Sequence, residues 1–438
     1  MALKLSVIGT GYLGATHAAC MSSMGFEVIG FDTDQNKIDF LSKGKVPFYE
    51  PDLEELLSKQ MASGKLKFTN NINDLADCDV HFICVGTPQV KGGIAADLTF
   101  VNSALESIAG FVKPGALVVG KSTVPVGTAV KLRNRLIELN PKADLAWNPE
   151  FLREGFAVED TLKPNRLVVG VANDRAEEIL KEVYAKNLAE NTPWVRADLP
   201  TSELVKVAAN SFLATKISFI NAMAEVCEAA GGDVTVLAKA IGYDPRIGSR
   251  FLQAGIGFGG GCLPKDIRAF MARAEELGAQ QAVKFLEEID SINLRARQRI
   301  IELVRNDLEN DLKGKKVAIL GAAFKPDSDD VRDSPALDIA AQIQAAGAIV
   351  TVHDPKAIIN AQKRFPALNF AEDINSTLKD SNIVLHLTEW KIYRQIDPKT
   401  VKTLVKDAIM IDGRNALDRE LWLKAGWKFR ALGRSQVG

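Results

Sequence analysis

Histidine and cysteine, the residues that most often build metal sites and disulfide frameworks, are scarce in this sequence. Among 438 residues there are four histidines and five cysteines. The histidines show no metal-ligand spacing, and the odd, scattered set of cysteines is typical of free thiols in a reducing compartment. We therefore expect a cytoplasmic protein with no disulfide framework and no bound metal.

The sequence also lacks long apolar runs and an excess of charge of one sign. No run is long enough to span a membrane, and the N-terminus enters a strand pattern directly, so we expect neither a membrane anchor nor a signal peptide. The formal net charge of −1 argues against a nucleic-acid surface, although a local basic cleft remains possible. Hydrophobic residues make up 47% of the chain, enough for the large cores of two or three domains.

A glycine-rich turn near the N-terminus predicts a dinucleotide-binding fold. A buried strand pattern over residues 3–8 leads into the G-x-G-x-x-G motif of residues 9–14, then a helical pattern and a second strand that ends at Asp32. The first glycine permits a tight turn, the second lets a pyrophosphate approach and the third lets helix and strand pack closely. A carboxylate at Asp32 binds ribose hydroxyls and repels a 2′-phosphate, which favours NAD over NADP; a FAD-binding or nucleotide-free version of the fold is the alternative. The candidate cofactor residues here are Gly9, Gly11, Tyr12, Leu13, Gly14, Asp32 and Lys37.

Three further strand patterns end in polar residues. Residues 79–85 lead to Thr87 and residues 116–120 lead to Thr123. Ligands lie beyond the carboxyl ends of strands in an open α/β sheet, so both threonines are expected to border the cofactor, with helix capping as the alternative. The third strand leads into residues 148–155, where two glutamates and an arginine suit acid–base chemistry or sugar binding, or form a solvated loop.

Residues 201–230 form a predicted long helix, with Thr201 or Ser202 as its N-cap. Its surface is apolar nearly all round, so we expect it to join two domains and to support a subunit interface. Lys206 and Asn210 share one stripe of this helix. A lysine in such an apolar helix is costly unless it is paired or functional, and the alternative is that its ammonium group reaches solvent.

The segment from Gly255 to Asp266 combines five glycines with Cys262, just before a helical pattern over residues 267–277 that opens a longer helical stretch over residues 267–312. The positive end of a helix dipole stabilises a thiolate, and Lys265 adds a positive charge. The glycines allow backbone N–H groups to approach an anion or a sugar. A nucleophilic cysteine and a phosphate-binding loop with an inert cysteine both fit this segment.

The strand pattern of the first domain recurs in residues 315–438 without the G-x-G-x-x-G motif. We therefore expect an α/β fold of two Rossmann-like, doubly wound domains joined by a long central helix. Lys325 and Arg414 are candidates to contact the phosphate or base of a second nucleotide, and solvated loop charges are the alternative.

These motifs together resemble the nucleotide-sugar 6-dehydrogenase family, and the UDP-glucose 6-dehydrogenases most closely. The resemblance covers essentially the whole chain and is most specific over residues 122–127, 148–155, 206–210 and 257–266. It implies homodimers, or multimers of dimers, built on the long helix. The implied domains are an NAD-binding domain over 1–200, a helical linker and dimerisation domain with the cysteine loop over 201–300, and a UDP-sugar-binding domain over 301–438.

The resemblance implies that NAD oxidises the primary alcohol of UDP-glucose twice, giving UDP-glucuronate through a cysteine thiohemiacetal and thioester. Cys262 is then the nucleophile. Lys206 stabilises the oxyanion or takes part in proton transfer, and Asn210 helps to position the oxygen. Asp266, Thr123 and a water form a proton relay, and Glu150 is the base for hydrolysis. GDP-mannose or a UDP-N-acetylhexosamine is the alternative substrate. A single-step hydroxyacid dehydrogenase and a NAD-sensing regulatory protein are the alternatives outside the family.

The resemblance also assigns binding residues. The residues that it implies contact the cofactor also include Thr123, Glu154, Lys265 and Arg332. Arg246 is expected to reach the site of a neighbouring subunit, and this chain has Gln253 where some members have a lysine or tyrosine. The implied substrate-binding residues are Glu150, Phe151, Leu152, Arg153, Glu154, Lys206, Asn210, Arg246, Phe251, Leu252, Gln253, Ala254, Gly255, Gly259, Lys325 and Arg414.

Overall fold

The computed structural model describes residues 3–434, and the chain divides into two compact units. The first unit runs from the N-terminus to Ala209 and includes Arg268–Gly278; the second comprises Asn210–Ile267 and the chain from Ala279 onward. Residues 1, 2 and 435–438, the outermost positions of the predicted domains, lie outside the described residues.

The first unit is built on an eight-stranded sheet. Its strands are β1 (Lys4–Ile8), β2 (Glu27–Phe31), β3 (Leu66–Thr69), β4 (Val80–Ile83), β5 (Leu117–Gly120), β6 (Asp144–Trp147), β7 (Leu167–Gly170) and β8 (Trp194–Ala197). The sheet order is β3-β2-β1-β4-β5-β6-β7-β8, and only the pairing of β6 with β7 is antiparallel. β1 therefore lies between β2 and β4, and the strand order reverses at its carboxyl end, where ligands bind in such sheets.

Helices on both faces cover this sheet, so its central strands are buried along nearly their whole length rather than at alternate residues. The last four residues of β1 and all of β4 and β5 are buried. The helices of the first unit are α1 (Tyr12–Ser23), α2 (Gln35–Leu41), α3 (Leu53–Ala62), α4 (Thr99–Ala109), α5 (Thr128–Leu139), α6 (Ala157–Leu162), α7 (Asp174–Val183) and α8 (Ala185–Ala189), with a 3₁₀ turn at Ile72–Leu75.

The predicted long helix is confirmed as α9 (Leu199–Ala230), 32 residues long. The prediction that Thr201 or Ser202 caps it is wrong, because the helix begins earlier. The carboxylate of Asp198 instead accepts the backbone N–H of Thr201 at 2.6 Å, and Pro200 fits the first turn, where no N–H is required. Among residues 3–434, α9 included, no helix has both the length and the apolar character needed to cross a membrane.

The second unit contains a six-stranded, fully parallel sheet. Its strands are β9 (Lys316–Leu320), β10 (Ile349–His353), β11 (Asn369–Phe370), β12 (Ile383–His386), β13 (Ile409–Asp412) and β14 (Lys428–Ala431). The order is β11-β10-β9-β12-β13-β14, with β9 in the place that β1 has in the first sheet. A second Rossmann-like sheet is therefore confirmed.

The helical stretch predicted over residues 267–312 is not one helix. The first helix already begins at Leu263, and the chain breaks near Gly278, whose φ of +71° ends the helix in the left-handed conformation that favours glycine. The remaining helices are α10 (Val234–Gly242), α11 (Leu263–Glu276), α12 (Gln280–Val283), α13 (Phe285–Asp307), α14 (Pro335–Ala345), α15 (Ile358–Arg364), α16 (Ile374–Leu378), α17 (Lys391–Arg394), α18 (Pro398–Val401) and α19 (Arg419–Lys424).

Candidate active site

The turn between β1 and α1 forms a cradle for a pyrophosphate. Gly9 has a φ of +86°, and a Cβ on Gly14 would lie 1.8 Å from the Gly9 carbonyl oxygen, so neither position tolerates a side chain. Gly11 is the N-cap of α1, and a Cβ built there meets nothing within 4 Å. Because glycine has no capping side chain, the first N–H groups of α1 face open space at the positive end of the helix dipole. The cradle fits a dinucleotide.

Asp32 follows β2 and is buried beside this turn. Its carboxylate accepts the backbone N–H of Thr10 at 2.9 Å and of Asp34 at 3.0 Å, and lies 3.2 Å from the ammonium of Lys37. Burial alone would raise the pKa of Asp32, but these N–H groups and Lys37 together lower it below its usual value. The ionised carboxylate keeps lone pairs for ribose hydroxyls and disfavours a 2′-phosphate. The ammonium of Lys37 therefore pairs with the carboxylate of Asp32.

Tyr12 is fixed by Glu50, a residue that the sequence analysis did not single out. The Tyr12 hydroxyl donates to Glu50, whose carboxylate also accepts the backbone N–H groups of Gly155 and Ala157, each at 2.7 Å. Burial and the Glu50 carboxylate raise the pKa of the Tyr12 phenol. Glu50 therefore ties the start of α1 to the end of the loop over residues 148–155. Leu13 follows Tyr12 in the first turn of α1.

Thr87 and Thr123 meet at the carboxyl ends of β4 and β5. The hydroxyl of Thr87 donates to the carbonyl oxygen of Thr123 at 2.8 Å. The capping alternative is wrong for both, because α4 and α5 begin at Thr99 and Thr128. Both threonines instead border the edge of the sheet where a cofactor is expected.

Glu203, on α9, holds the loop that carries Thr123. Its carboxylate accepts the backbone N–H groups of Gly127 and Ala129, each at 2.6 Å, and so caps α5. Arg273 donates to the carbonyl of Val126 at 2.8 Å. Burial raises the pKa of Glu203 to about 7, against the opposing effect of those N–H groups.

Glu150 is also held from several sides. One carboxylate oxygen accepts the backbone N–H groups of Phe151 at 2.8 Å and Leu152 at 3.2 Å. The other oxygen lies 3.0 Å from the ammonium of Lys121, which is 3% exposed. Arg153 turns away and pairs with Asp160. Glu154 follows, half-buried, in the turn before α6.

Two cations flank the ring of Phe151. The Lys206 ammonium lies 5.4 Å and the Arg166 guanidinium carbon 3.9 Å from the ring centre. Lys206 is buried, and its ammonium packs against this ring.

In the second unit, Cys262 immediately precedes α11 and is exposed. Glycines shape the loop before it because the backbone packs closely against its neighbours. A Cβ on Gly255 would lie 2.6 Å from the carbonyl of Gly413, and a Cβ on Gly259 would lie 2.2 Å from the carbonyl of Asp333. Close packing thus accounts for these two glycines.

Asn210, Lys265 and Asp266 form one cluster at the start of α11. The Asn210 amide donates to one carboxylate oxygen of Asp266 at 2.6 Å, and the Lys265 ammonium donates to the other at 2.5 Å. Asp266 is buried and donates its backbone N–H to the carbonyl of Cys262 at 2.9 Å. Asp266 therefore follows Cys262 by one helical turn of the backbone.

Arg414 lies half-buried against the glycine loop. Its guanidinium donates to the carbonyls of Leu387 at 2.8 Å, Gly257 at 3.0 Å and Phe324 at 2.9 Å, and lies 3.3 Å from the carboxylate of Glu389. These contacts hold the glycine loop against the ends of the strands.

Comparison with known proteins decides the family. Residues 3–188 match the NAD binding domain, residues 200–295 the central domain and residues 318–419 the UDP binding domain of the UDP-glucose/GDP-mannose dehydrogenase family. The chain is 39% identical to the UDP-glucose 6-dehydrogenase of Rhizobium meliloti over 437 residues, 99% of this chain and 100% of that relative. The chain belongs to the UDP-glucose/GDP-mannose dehydrogenase family.

Two solved structures share the whole fold of this family member. A UDP-glucose dehydrogenase from Pyrobaculum islandicum has a TM-score of 0.91 and 35% identity, covering 99% of this chain and 98% of that one. A UDP-D-ManNAc dehydrogenase from Pyrococcus horikoshii has a TM-score of 0.86 and 26% identity, covering 99% of each chain. The chain is therefore an NAD-dependent oxidoreductase, and the predicted family, fold class and cofactor are confirmed.

The structure of this UDP-glucose/GDP-mannose dehydrogenase family member distributes the predicted catalytic residues over both units. Thr123, Glu150 and Lys206 belong to the first unit; Asn210, Cys262 and Asp266 belong to the second. Their individual roles remain predictions.

Of the predicted binding residues, several already have protein partners in the second unit. Arg332 pairs with Asp330, and Arg246 pairs with Asp244 at an exposed site. The ammonium of Lys325 lies 5.6 Å from the ring centre of Phe324. Phe251 has a φ of +65°, Leu252 and Ala254 are buried, Gln253 is exposed, and Gly255 donates to Asn221 at 2.8 Å.

Proposed function

We propose that this enzyme oxidises the 6-hydroxymethyl group of UDP-glucose to a carboxylate, giving UDP-glucuronate, through a covalent intermediate on Cys262. The observation that supports it most directly is an exposed cysteine at the start of α11 beside the Asn210–Asp266–Lys265 cluster. The identity of 39% to a relative named UDP-glucose 6-dehydrogenase supports the choice of sugar nucleotide.

The first stage converts the alcohol to an aldehyde. When bound, NAD supplies the hydride acceptor. The alcohol proton passes to the relay of Thr123, Asp266 and a water, and Lys206 stabilises the negative charge that develops on the sugar oxygen. Asn210 positions that oxygen while its amide is held by Asp266 at 2.6 Å.

The second stage is covalent. The thiolate of Cys262 adds to the aldehyde carbon and forms a thiohemiacetal, so the aldehyde is not released. The same carbon then gives up a second hydride, for which a second NAD would supply the acceptor, while the hydroxyl proton passes to the same relay, and a thioester is left. A water then attacks the thioester carbonyl, Glu150 takes a proton from that water, and the thiolate leaves with the acid as product. A reducing cytoplasm, which keeps Cys262 as a free thiol, is the compartment in which we propose that the enzyme works.

The remaining binding roles follow the same proposal. The turn over residues 9–14, with Asp32, Thr87, Thr123, Glu154, Lys265 and Arg332, contacts NAD. Residues 150–154 and 251–255, with Arg246, Gly259, Lys325 and Arg414, contact the sugar nucleotide.

The substrate is tested with purified enzyme, NAD and each of three sugar nucleotides: UDP-glucose, GDP-mannose and UDP-N-acetylmannosamine. We expect a rise in absorbance at 340 nm with UDP-glucose and a much smaller one with the other two. The alternative, a UDP-N-acetylhexosamine, is the class of sugar nucleotide after which the Pyrococcus horikoshii enzyme is named, at the lower identity of 26%. A rise with that sugar and none with UDP-glucose would overturn the assignment.

We also propose that the enzyme is a homodimer, or a multimer of dimers, built on α9. Phe212, Phe219 and Val226 follow one another at intervals of seven residues along this helix and are 67%, 47% and 57% exposed. Residues at this interval lie on one stripe of a helix, and an exposed apolar stripe is typical of a protein interface.

A further inference from the structure

Glu150, the proposed base of the hydrolysis step, pairs with a buried lysine that has no role in the mechanism proposed for the enzyme. Lys121 directly follows β5 and is 3% exposed. Its ammonium lies 3.0 Å from a Glu150 carboxylate oxygen, 3.0 Å from the amide oxygen of Asn148 and 3.4 Å from the hydroxyl of Tyr184. An ammonium group has three donors, and all three have an acceptor here.

The partners of Lys121 are themselves fixed. The Tyr184 hydroxyl donates to the Asn148 amide oxygen at 2.6 Å, and the Asn148 amide nitrogen donates to the carbonyl of Val168 at 2.8 Å. Lys121 is therefore held in place through contacts that involve β5, β6, β7 and the start of α8. Its ammonium in turn fixes the position of the Glu150 carboxylate.

Glu150 and Lys121 both line a small polar pocket. Its volume is about 40 Å³, enough for a water molecule. The buried ring of His17 contributes two nitrogens with no hydrogen-bond partner among residues 3–434. Without Lys121, the pocket would give the Glu150 side chain polar space into which to turn. The titratable and charged residues that line it are His17, Lys121, Glu150, Asp160, Arg166 and Tyr184.

We propose that Lys121 is a positioning residue for the hydrolysis of the thioester: it holds the Glu150 carboxylate, in its ionised form, in the orientation that accepts a proton from the attacking water. This inference rests on the proposed function. It assigns Lys121 no contact with substrate or cofactor. The two oxidation steps do not need Glu150 as a base, so the role is specific to the last stage of the reaction.

The test follows the covalent intermediate in the full-length enzyme. Wild type, Glu150→Gln, Lys121→Met and Lys121→Arg are mixed with UDP-glucose and NAD, and the mass of the protein is measured over time. We expect both Glu150→Gln and Lys121→Met to accumulate the acyl adduct on Cys262, with hydrolysis slowed by roughly 100-fold, the usual effect of losing a general base. Lys121→Arg keeps the cation and is expected to restore much of the rate. Lys131→Met, an exposed lysine on α5, is the matched control and should behave as wild type.

A comparison of the two stages separates this role from a purely structural one. In Lys121→Met the two oxidation steps should release NADH at the wild-type rate while the adduct on Cys262 persists. A variant that has only lost stability would melt earlier and would slow oxidation and hydrolysis alike. If Lys121→Met fails to fold, Tyr184→Phe is tested in its place. This variant removes one hydrogen bond to Lys121 and should slow hydrolysis of the thioester but not the oxidation steps. An unchanged rate of hydrolysis in Tyr184→Phe would overturn the proposal.

The outcomes distinguish this inference from the function on which it rests. If Glu150→Gln accumulates the adduct and Lys121→Met does not, the inference about Lys121 is wrong and the proposed function stands. If no variant forms an adduct while oxidation to the acid continues, the covalent route itself is wrong, and the role of Lys121 falls with it.

Discussion

At the scale of the residue, Asp32 decides which dinucleotide the first unit accepts. Replacing it with alanine removes an ionised acceptor and its bond with the Thr10 backbone. A hydrogen bond to a charged group contributes about 1.5–3 kcal/mol, so we expect the dissociation constant for NADH to rise by roughly 10- to 100-fold. Calorimetric titration measures this, with Asp39→Ala, an exposed carboxylate on α2, as the control. Unchanged affinity for Asp32→Ala would show that the adenosine ribose lies elsewhere.

Glu203 makes the stability of the first unit depend on pH. Burial raises its pKa from 4.5 to about 7, so the folded state binds its proton more tightly than the unfolded state does. The stabilisation is complete below pH 4.5 and is lost as the pH rises through 7. Over that window wild type should lose about 3 kcal/mol more than Glu203→Gln, which carries no titrating group. Denaturant unfolding at pH 5 and pH 8 measures the difference, and equal pH dependence in both proteins would contradict it.

Residues that belong to motifs could be predicted from the sequence, whereas the residues that fix those motifs by hydrogen bonds could not. The glycine turn, Asp32 and Cys262 stand in patterns whose spacing predicts their environment. Glu203 bonds to Gly127 across 76 positions in the sequence, and Glu50 to Tyr12 across 38. A lone glutamate in a helix or loop gives no signal of such a partner, because only folding brings the two together.

At the scale of the element, strands and helices were predicted better than their ends. The apolar pattern located α9, but its start at Leu199 depends on the cap supplied by Asp198. The break near Gly278 was missed because the apolar pattern of residues 267–312 runs across it. A helix end is set by a few local hydrogen bonds, which hydrophobic periodicity does not report.

The exposed stripe of α9 gives a prediction about assembly. Phe219→Asp places a charge at the centre of the proposed dimer surface, where burial without a partner is costly. We expect sedimentation analysis to show a monomer for this variant and a dimer or larger species for wild type. Phe100→Asp, at a similarly exposed phenylalanine on α4 in the first unit, is the control and should keep the mass of wild type. A wild-type mass in Phe219→Asp would mean that α9 does not form the interface.

At the scale of the whole molecule, the two sheets follow one rule. In each, the first strand lies between the second and a later one, and an acidic residue follows the second strand. In the second unit that residue, Asp354, accepts the backbone N–H groups of Ala322 and Ala323 and the indole N–H of Trp390. Donors from the protein itself occupy the acceptor positions of the Asp354 carboxylate, which the strand pattern alone could not reveal. The repeated pattern was enough to predict two sheets, but not this change in the use of the acid.

The central claim concerns the thiol of Cys262 and is tested most directly by counting NADH per molecule of UDP-glucose. With limiting UDP-glucose, wild type should release two NADH and form UDP-glucuronate. Cys262→Ser should bind NADH as wild type does, yet form no UDP-glucuronate, because the aldehyde has no thiolate to capture it. Two NADH and the full yield of acid from Cys262→Ser would contradict the covalent route.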